Sequence, residues 1–281
     1  MKRLHDLYGL KYNPFLPHLP KEGLWMPPGA EGFFARLEMM RDMGGFALLT
    51  GEPGAGKSQL LRLLHQRLRA EPGAVVSVLE RPQSRLADLY RELGDRFGIT
   101  VGTYNRYGGF KALRERWRQQ IKQTLVQPIL LVDEAQEMRT ESLCELRLLG
   151  SEESDSVSLM TVVLCGDQRL TERLRSVDLL SLASRVRARL ILPRWPPEQL
   201  GDYLDHLLAA AGAPHLLTEG LARVLCRHAE GNLRQLVHMG EVLLAHAAQR
   251  RLPQVDENLY IEVFSRTTAA EPRQASAGRS A

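Results

Sequence analysis

Residues 51–58 read Gly-Glu-Pro-Gly-Ala-Gly-Lys-Ser, the spacing G-x-x-x-x-G-K-[ST] of a loop that wraps phosphate. The apolar run Phe46–Thr50 enters it and the amphipathic run Gln59–Arg69 leaves it. Strand, glycine loop and helix in that order turn a short pattern into a mechanism. Glycines let backbone N–H groups close around phosphate oxygens without Cβ interference, and the helix N-terminus adds positive potential. The expected nucleotide-binding set is Gly51, Glu52, Pro53, Gly54, Ala55, Gly56, Lys57, Ser58 and Gln59. Within it Lys57 reaches the β- and γ-phosphates, and Ser58 offers its hydroxyl to Mg²⁺.

Such a loop belongs at the edge of a parallel sheet, and the rest of the chain supplies one. Five short apolar runs read as buried strands: Phe46–Thr50, Ala74–Leu79, Ile129–Asp133, Leu159–Cys165 and Arg189–Leu192. Helical patterns separate them, which predicts an α/β domain with a parallel sheet covered on both faces. Pro193-Arg194-Trp195-Pro196-Pro197 breaks the alternation. Beyond it Glu198–Gly212, Thr218–Glu230 and Leu233–Arg250 have helical periodicity with no strand between them. The expected division is an N-terminal arm over 1–30, a nucleotide-binding α/β domain over 31–195, a small helical lid over 196–265 and a disordered tail over 266–281. The arm holds Pro14, Pro17, Pro20, Pro27 and Pro28, and is expected to be extended, anchored by Tyr12, Phe15 and Trp25.

Ile129–Val132 ends in two carboxylates, Asp133 and Glu134. Ligands of a parallel sheet collect at the carboxyl ends of its strands. Asp133 is therefore expected beside the phosphate loop as a Mg²⁺ ligand, with Glu134 deprotonating the attacking water. The catalytic set is Lys57, Glu134 and, from the resemblance described next, Arg185.

The phosphate loop, Asp133-Glu134-Ala135-Gln136 and the helical appendage together resemble an AAA+ ATPase. Within that group the chain is most similar to the ExeA-like branch, which includes transposition regulators of the TniB and TnsC kind. Tyr8-Gly9-Leu10 with Asn13-Pro14-Phe15, Glu145-Leu146-Arg147-Leu148-Leu149, Val163-Leu164-Cys165-Gly166 and Gly231-Asn232-Leu233-Arg234 carry this likeness. The resemblance implies a five-stranded P-loop sheet, ATP and Mg²⁺ as cofactors, and a homo-oligomer in the form of a ring or helical filament. It implies that Asp167 is a polar sensor contacting nucleotide. An ionised Asp donates no hydrogen bond to phosphate, so orienting water or an arginine is the alternative. Arg185 falls where the family has the arginine finger, which acts on ATP held by a neighbouring subunit, with Arg187 and Arg189 as close alternatives. Arg234 matches the second sensor on the lid.

The partner is read from charge. The chain carries 37 Lys and Arg against 33 Asp and Glu, a formal +4, which permits an acidic partner without requiring one. Phe110, Leu113, Trp117 and Ile121 form an apolar helical stripe, and Arg106, Lys111, Arg114, Arg118 and Lys122 form a basic one beside it. Such a stripe can follow a phosphate backbone without reading bases. The preceding Tyr104–Gly109 is expected to be a mobile basic loop, and Arg81 with Arg85 is a weaker candidate. Cys144, Cys165 and Cys226 match no zinc spacing and suit a reducing cytoplasm. No apolar run reaches membrane-spanning length. The first functional reading is a DNA-binding ATPase that regulates transposition, assembling with ATP on duplex DNA and recruiting a transposase, with a target-selection protein as a further partner. The alternative is a secretion-assembly ATPase of the ExeA kind, and a helicase-loader-like ATPase is a third. The ExeA relative continues into a membrane span and a peptidoglycan-binding region. This chain shows neither, which ranks transposition first.

Overall fold

The computed structural model describes residues 2–79, 82–100, 106–152 and 157–268. Two compact units share the chain: Leu24–Arg194, and Met1–Gly23 together with Trp195–Ala281. Helix α1 (Lys2–Tyr8) belongs to the second. The Leu24–Arg194 unit then runs α2 (Ala30–Met39), β1 (Gly45–Gly51), α3 (Lys57–Arg69), β2 (Val76–Leu79), α4 (Leu86–Phe97), α5 (Arg106–Thr124), β3 (Ile129–Val132) and α6 (Thr140–Gly150). A short antiparallel hairpin follows, β4 (Ser151–Glu152) with β5 (Val157–Ser158), and then β6 (Thr161–Gly166), α7 (Gln168–Arg173), α8 (Leu180–Ala183) and β7 (Val186–Leu192).

Five strands form one parallel sheet in the order β2-β3-β6-β1-β7. Every residue of β1, β3 and β6 is buried, as expected of central parallel strands covered on both faces. That is why they read in the sequence as continuous apolar runs. The fifth strand differs. It starts at Val186, three residues before the expected Arg189, and alternates, with Ala188 and Leu192 buried and Arg187, Arg189 and Ile191 exposed. Arginines at the solvent positions of an edge strand hid its first half from a search for apolar runs.

One face of the sheet is covered by a cluster drawn from α4, α5 and α6. The apolar stripe of α5 is realised there: Leu113 and Trp117 are fully buried, with Phe110 and Ile121 packed against the cluster. The Trp117 ring meets Phe97 edge-on at 5.3 Å and 79°, a favourable aromatic geometry. Gly108 and Gly109 lie inside α5, which starts at Arg106, so the expected loop does not extend that far. The rest of that expectation, at 104–105, and Arg81 lie outside the described residues.

The other unit is helical: α9 (Pro197–Ala211), α10 (Glu219–His228), α11 (Leu233–Arg250) and α12 (Glu257–Thr268). Its helix starts are written in the sequence. Pro197 occupies the first turn of α9. The Thr218 hydroxyl accepts from the Leu221 amide at 3.1 Å, and Asn232 Oδ1 from the Gln235 amide at 3.2 Å. The N-terminal segment, expected as an extended arm with a few anchored side chains, is part of this unit. Leu10, Phe15 and Leu19 are buried, the Lys11 amide donates to the Ala211 carbonyl at 2.9 Å, and the Phe15 ring lies so close to Gly240 that a Cβ there would sit 2.5 Å away. Prolines kept the segment from forming long helices but did not keep its apolar side chains in solvent. Helix α12 continues to Thr268, so 266–268 are helical. The remainder of the expected tail, 269–281, lies outside the described residues.

Candidate nucleotide site

Strand register sets the geometry of the site. Leu49 of β1 pairs with Cys165 of β6, and Val132 of β3 pairs with Leu164 of β6. Asp133 is thus level with Cys165, and the phosphate loop after β1 lies on the opposite side of β6, about 10 Å away across two strand spacings. Loop and acidic pair share one edge of the sheet, as the sequence led one to expect.

The loop is built as its glycines require. Gly54 has φ 86° and Gly56 φ 97°, left-handed values that side chains with a Cβ rarely adopt. Gly56 caps α3, which begins at Lys57 and aims its free N–H groups into the loop. Lys57 is 7% exposed, and its Nζ donates to the carbonyls of Gly51 at 3.0 Å and Glu52 at 3.1 Å. The Glu52 carboxylate accepts from Arg194 Nε at 2.6 Å, a contact that nothing in the sequence spacing signals.

On the other side of β6, Glu134 has left the strand with φ 51° and ψ 39°. Its amide donates to Asp133 Oδ1 at 2.9 Å, and its Oε2 accepts from Gln136 Nε2. Cys165 lies between the two halves. Burial pushes its thiol well above the usual value, helped by the Asp133 carboxylate to which it donates and opposed by the Lys57 charge. A hydroxyl and a carboxylate at this edge form a hard oxygen donor set, which fits Mg²⁺. That ion keeps several waters and takes one or two protein ligands plus substrate phosphates.

Asp167 caps α7. Its Oδ1 accepts from the Arg169 amide and its Oδ2 from Arg169 Nε, both at 2.9 Å. Partial burial opposes its ionisation, but the Arg169 contacts and charge outweigh it and hold the pKa below the ordinary value, with Lys57 adding to the effect. Asp167 thus accepts twice from Arg169, its own helix's second residue. Arg169 also bridges to Glu137 at 2.8 Å.

Arg185 lies at the opposite end of the sheet. Its carbonyl accepts from the Phe46 amide at 3.3 Å, next to the start of β1, and its guanidinium donates to the Ser181 carbonyl. Strand β1 runs Gly45–Gly51, so about 20 Å of strand separates Arg185 from its own loop. Arg234 stands in the first turn of α11, in the helical unit.

The basic stripe of α5 is largely committed to protein. Arg106 donates through Nε to Glu145 Oε1 at 2.9 Å and through Nη2 to Oε2. Tyr90 donates to the same carboxylate, and burial followed by that contact raises its pKa. Arg118 Nε donates to Glu152 at 2.6 Å. Arg114 stacks over the Phe110 ring at 5.0 Å and donates to the Leu148 carbonyl at 3.3 Å. Lys111 and Lys122 are exposed. Three of the five expected phosphate contacts thus anchor α5 to α6 and the hairpin. Glu145 is 2% exposed and Arg106 61%, so Arg106→Ala would leave a buried carboxylate with Tyr90 alone. The expected cost is about 1–3 kcal/mol, less than for a fully buried pair. A thermal melt should show it as a loss of about 3–10 °C.

Among the described residues no helix is long and apolar enough to cross a membrane. Residues 40–174 match the model of an AAA domain. General secretion pathway protein A of Aeromonas hydrophila is 30% identical over 238 residues, which are 83% of this chain and 43% of that protein. The chain therefore spans under half the length of that relative, and where it stops says nothing against the secretion reading. Cdc6p of Pyrobaculum aerophilum shares the fold with a TM-score of 0.70 at 17% identity, over 86% of this chain and 67% of that one. The Aeropyrum pernix ORC1 protein, solved in complex with DNA, does so with a TM-score of 0.67 at 19% identity, over 90% and 68%. None of these similarities brings a transposase or a transposition regulator with it. A parallel sheet in the order β2-β3-β6-β1-β7 with a helical C-terminal part is the AAA+ P-loop ATPase fold, and residues 40–174 are similar to an AAA domain.

Proposed function

We propose that the chain is an ATPase module whose turnover is completed by a second copy of itself, and that it serves in assembling a secretion apparatus. The observation that carries the ATPase reading is the shared sheet edge that presents Lys57 and Ser58 on one side of β6 and Asp133 and Glu134 on the other. Lys57 exchanges its two carbonyl contacts for the β- and γ-phosphates of ATP. Ser58 and Asp133 hold Mg²⁺, which when bound neutralises phosphate charge. Glu134 takes a proton from water as the water oxygen bonds to the γ-phosphorus. The bond to the β–γ bridging oxygen breaks, leaving ADP and phosphate. The distance of Arg185 from its own loop supports a finger that works on a neighbour's nucleotide. Arg234 keeps its sensor role in this proposal on the resemblance alone.

The choice of secretion over transposition rests on the 30% identity to General secretion pathway protein A. The engagement of Arg106, Arg114 and Arg118 with protein groups points the same way. Phosphate release by the purified chain tests the ATPase reading, and no release at any protein concentration would overturn it. Fluorescence anisotropy with duplex DNA separates the two settings. Secretion assembly predicts no ATP-dependent binding, and ATP-dependent, salt-sensitive binding would restore the transposition reading. Lys57→Ala should abolish binding of a fluorescent ATP analogue, because it removes the ammonium that would face the β- and γ-phosphates.

A further inference from the structure

Gln136 has no part in the mechanism above, yet its side chain joins Glu134 to the end of β6. It is 6% exposed. Its Nε2 donates to Glu134 Oε2, and its Oε1 accepts from the Asp167 amide at 3.2 Å. Both ends of one amide are therefore engaged, one with an acceptor and one with a donor, so a flipped amide would oppose donor to donor. Its own carbonyl accepts from Arg173, which also reaches the Thr140 hydroxyl at 3.2 Å. Gly166 makes room for it, since a Cβ there would lie 2.5 Å from Gln136 Oε1. Glu134, in turn, sits in a backbone region that residues other than glycine rarely occupy, so local sequence preference does not aim its carboxylate.

We propose that Gln136 is a positioning residue for Glu134. It holds Oε2 by a hydrogen bond to a charged acceptor, the stronger kind, which leaves Oε1 for the attacking water. Through the Asp167 amide it also ties the carboxylate to the end of β6, so the base is referenced to the strand that separates it from the phosphate loop. The inference rests on the ATP-hydrolysis reading.

The test is steady-state ATP hydrolysis by the full chain carrying Gln136→Met, which fills similar volume and cannot donate. A misplaced base costs rate and leaves nucleotide binding intact. The kcat should fall about ten- to a hundredfold while KM and affinity for an ATP analogue stay within about twofold. In a Glu134→Gln background the same change should have no further effect on the residual rate. Gly166→Ala, which crowds the amide without altering it, should repeat the kcat loss and keeps the test decisive if Gln136→Met fails to fold. A wild-type kcat in either folded variant, or a loss of kcat matched by an equal loss of nucleotide affinity, would overturn the role. If the parent chain hydrolyses no ATP, the ATPase reading falls and takes this role with it. An active parent with an unaffected Gln136→Met variant removes this role alone.

Discussion

Arg185→Ala protein is expected to bind ATP as the parent does and to hydrolyse it about 10³–10⁵ times more slowly, the range an arginine finger contributes. The reason is the register of the sheet. Arg185 contacts the start of β1 while the phosphate loop follows its end, and no arginine side chain covers that length. An arginine that far from its own loop does not reach its own nucleotide, so in the proposed mechanism it would act on a neighbour's. Mixing supplies the decisive measurement. Arg185→Ala subunits retain an intact loop, and Lys57→Ala subunits retain an intact finger. Equimolar mixtures should regain turnover that neither variant shows alone. Full activity of Arg185→Ala by itself, with no gain on mixing, would remove the trans finger and leave Arg187 and Arg189 to be examined in the same way.

Glu134→Gln should lower kcat by about 10²–10⁴, the usual worth of a positioned general base. An amide takes no proton from water, while the shape of the side chain is kept. ATP affinity should be unchanged, because Lys57, Ser58 and the loop are untouched. If assembly depends on bound ATP, the variant should accumulate as oligomer when ATP is added, which sedimentation reads directly. A Glu134→Gln protein that turns over ATP at the parental rate would show that another group accepts the proton.

How legible this site was depended on whether its parts are local. The glycine loop between β1 and α3 was legible because glycine positions and helix start lie within eight residues of one another. The acidic pair was found because a fully buried strand such as β3 is a continuous apolar run that ends abruptly. The stripe of α5 was found for its apolar half, since helical spacing reports burial. The partners of its basic half were not legible, because Glu145 and Glu152, which pair with Arg106 and Arg118, come from residues more than thirty positions away. Periodicity carries no information about such partners. Gln136 was in plain view beside the acidic pair, and nothing short of its contacts with Glu134 and Asp167 gives it a role. The N-terminal segment was legible in part, its anchor Phe15 but not the unit it anchors to, for a related reason. Prolines report what a backbone cannot do, whereas Phe15 is buried by residues made more than two hundred positions later.

That last contact has a consequence for how the protein comes into being. The helical unit is discontinuous: its first piece, Met1–Gly23, and its remainder from Trp195 are separated by the whole of Leu24–Arg194. During synthesis Leu10, Phe15 and Leu19 emerge before the helices of their own unit and wait while the intervening unit is made. At ordinary ribosomal speed that is roughly ten to thirty seconds. The nucleotide-binding unit can complete its sheet in that interval, since all of its strands lie within the insertion, and once folded it holds the two ends of the interruption at fixed points. Closing the helical unit is then an encounter between two tethered pieces rather than the capture of a free chain end, which reduces the entropy of loop closure. A lesion that slows folding of the nucleotide-binding unit should therefore prolong the time for which the N-terminal apolar residues are solvent-exposed, and the aggregation it causes would be seeded by residues outside the unit that carries the lesion.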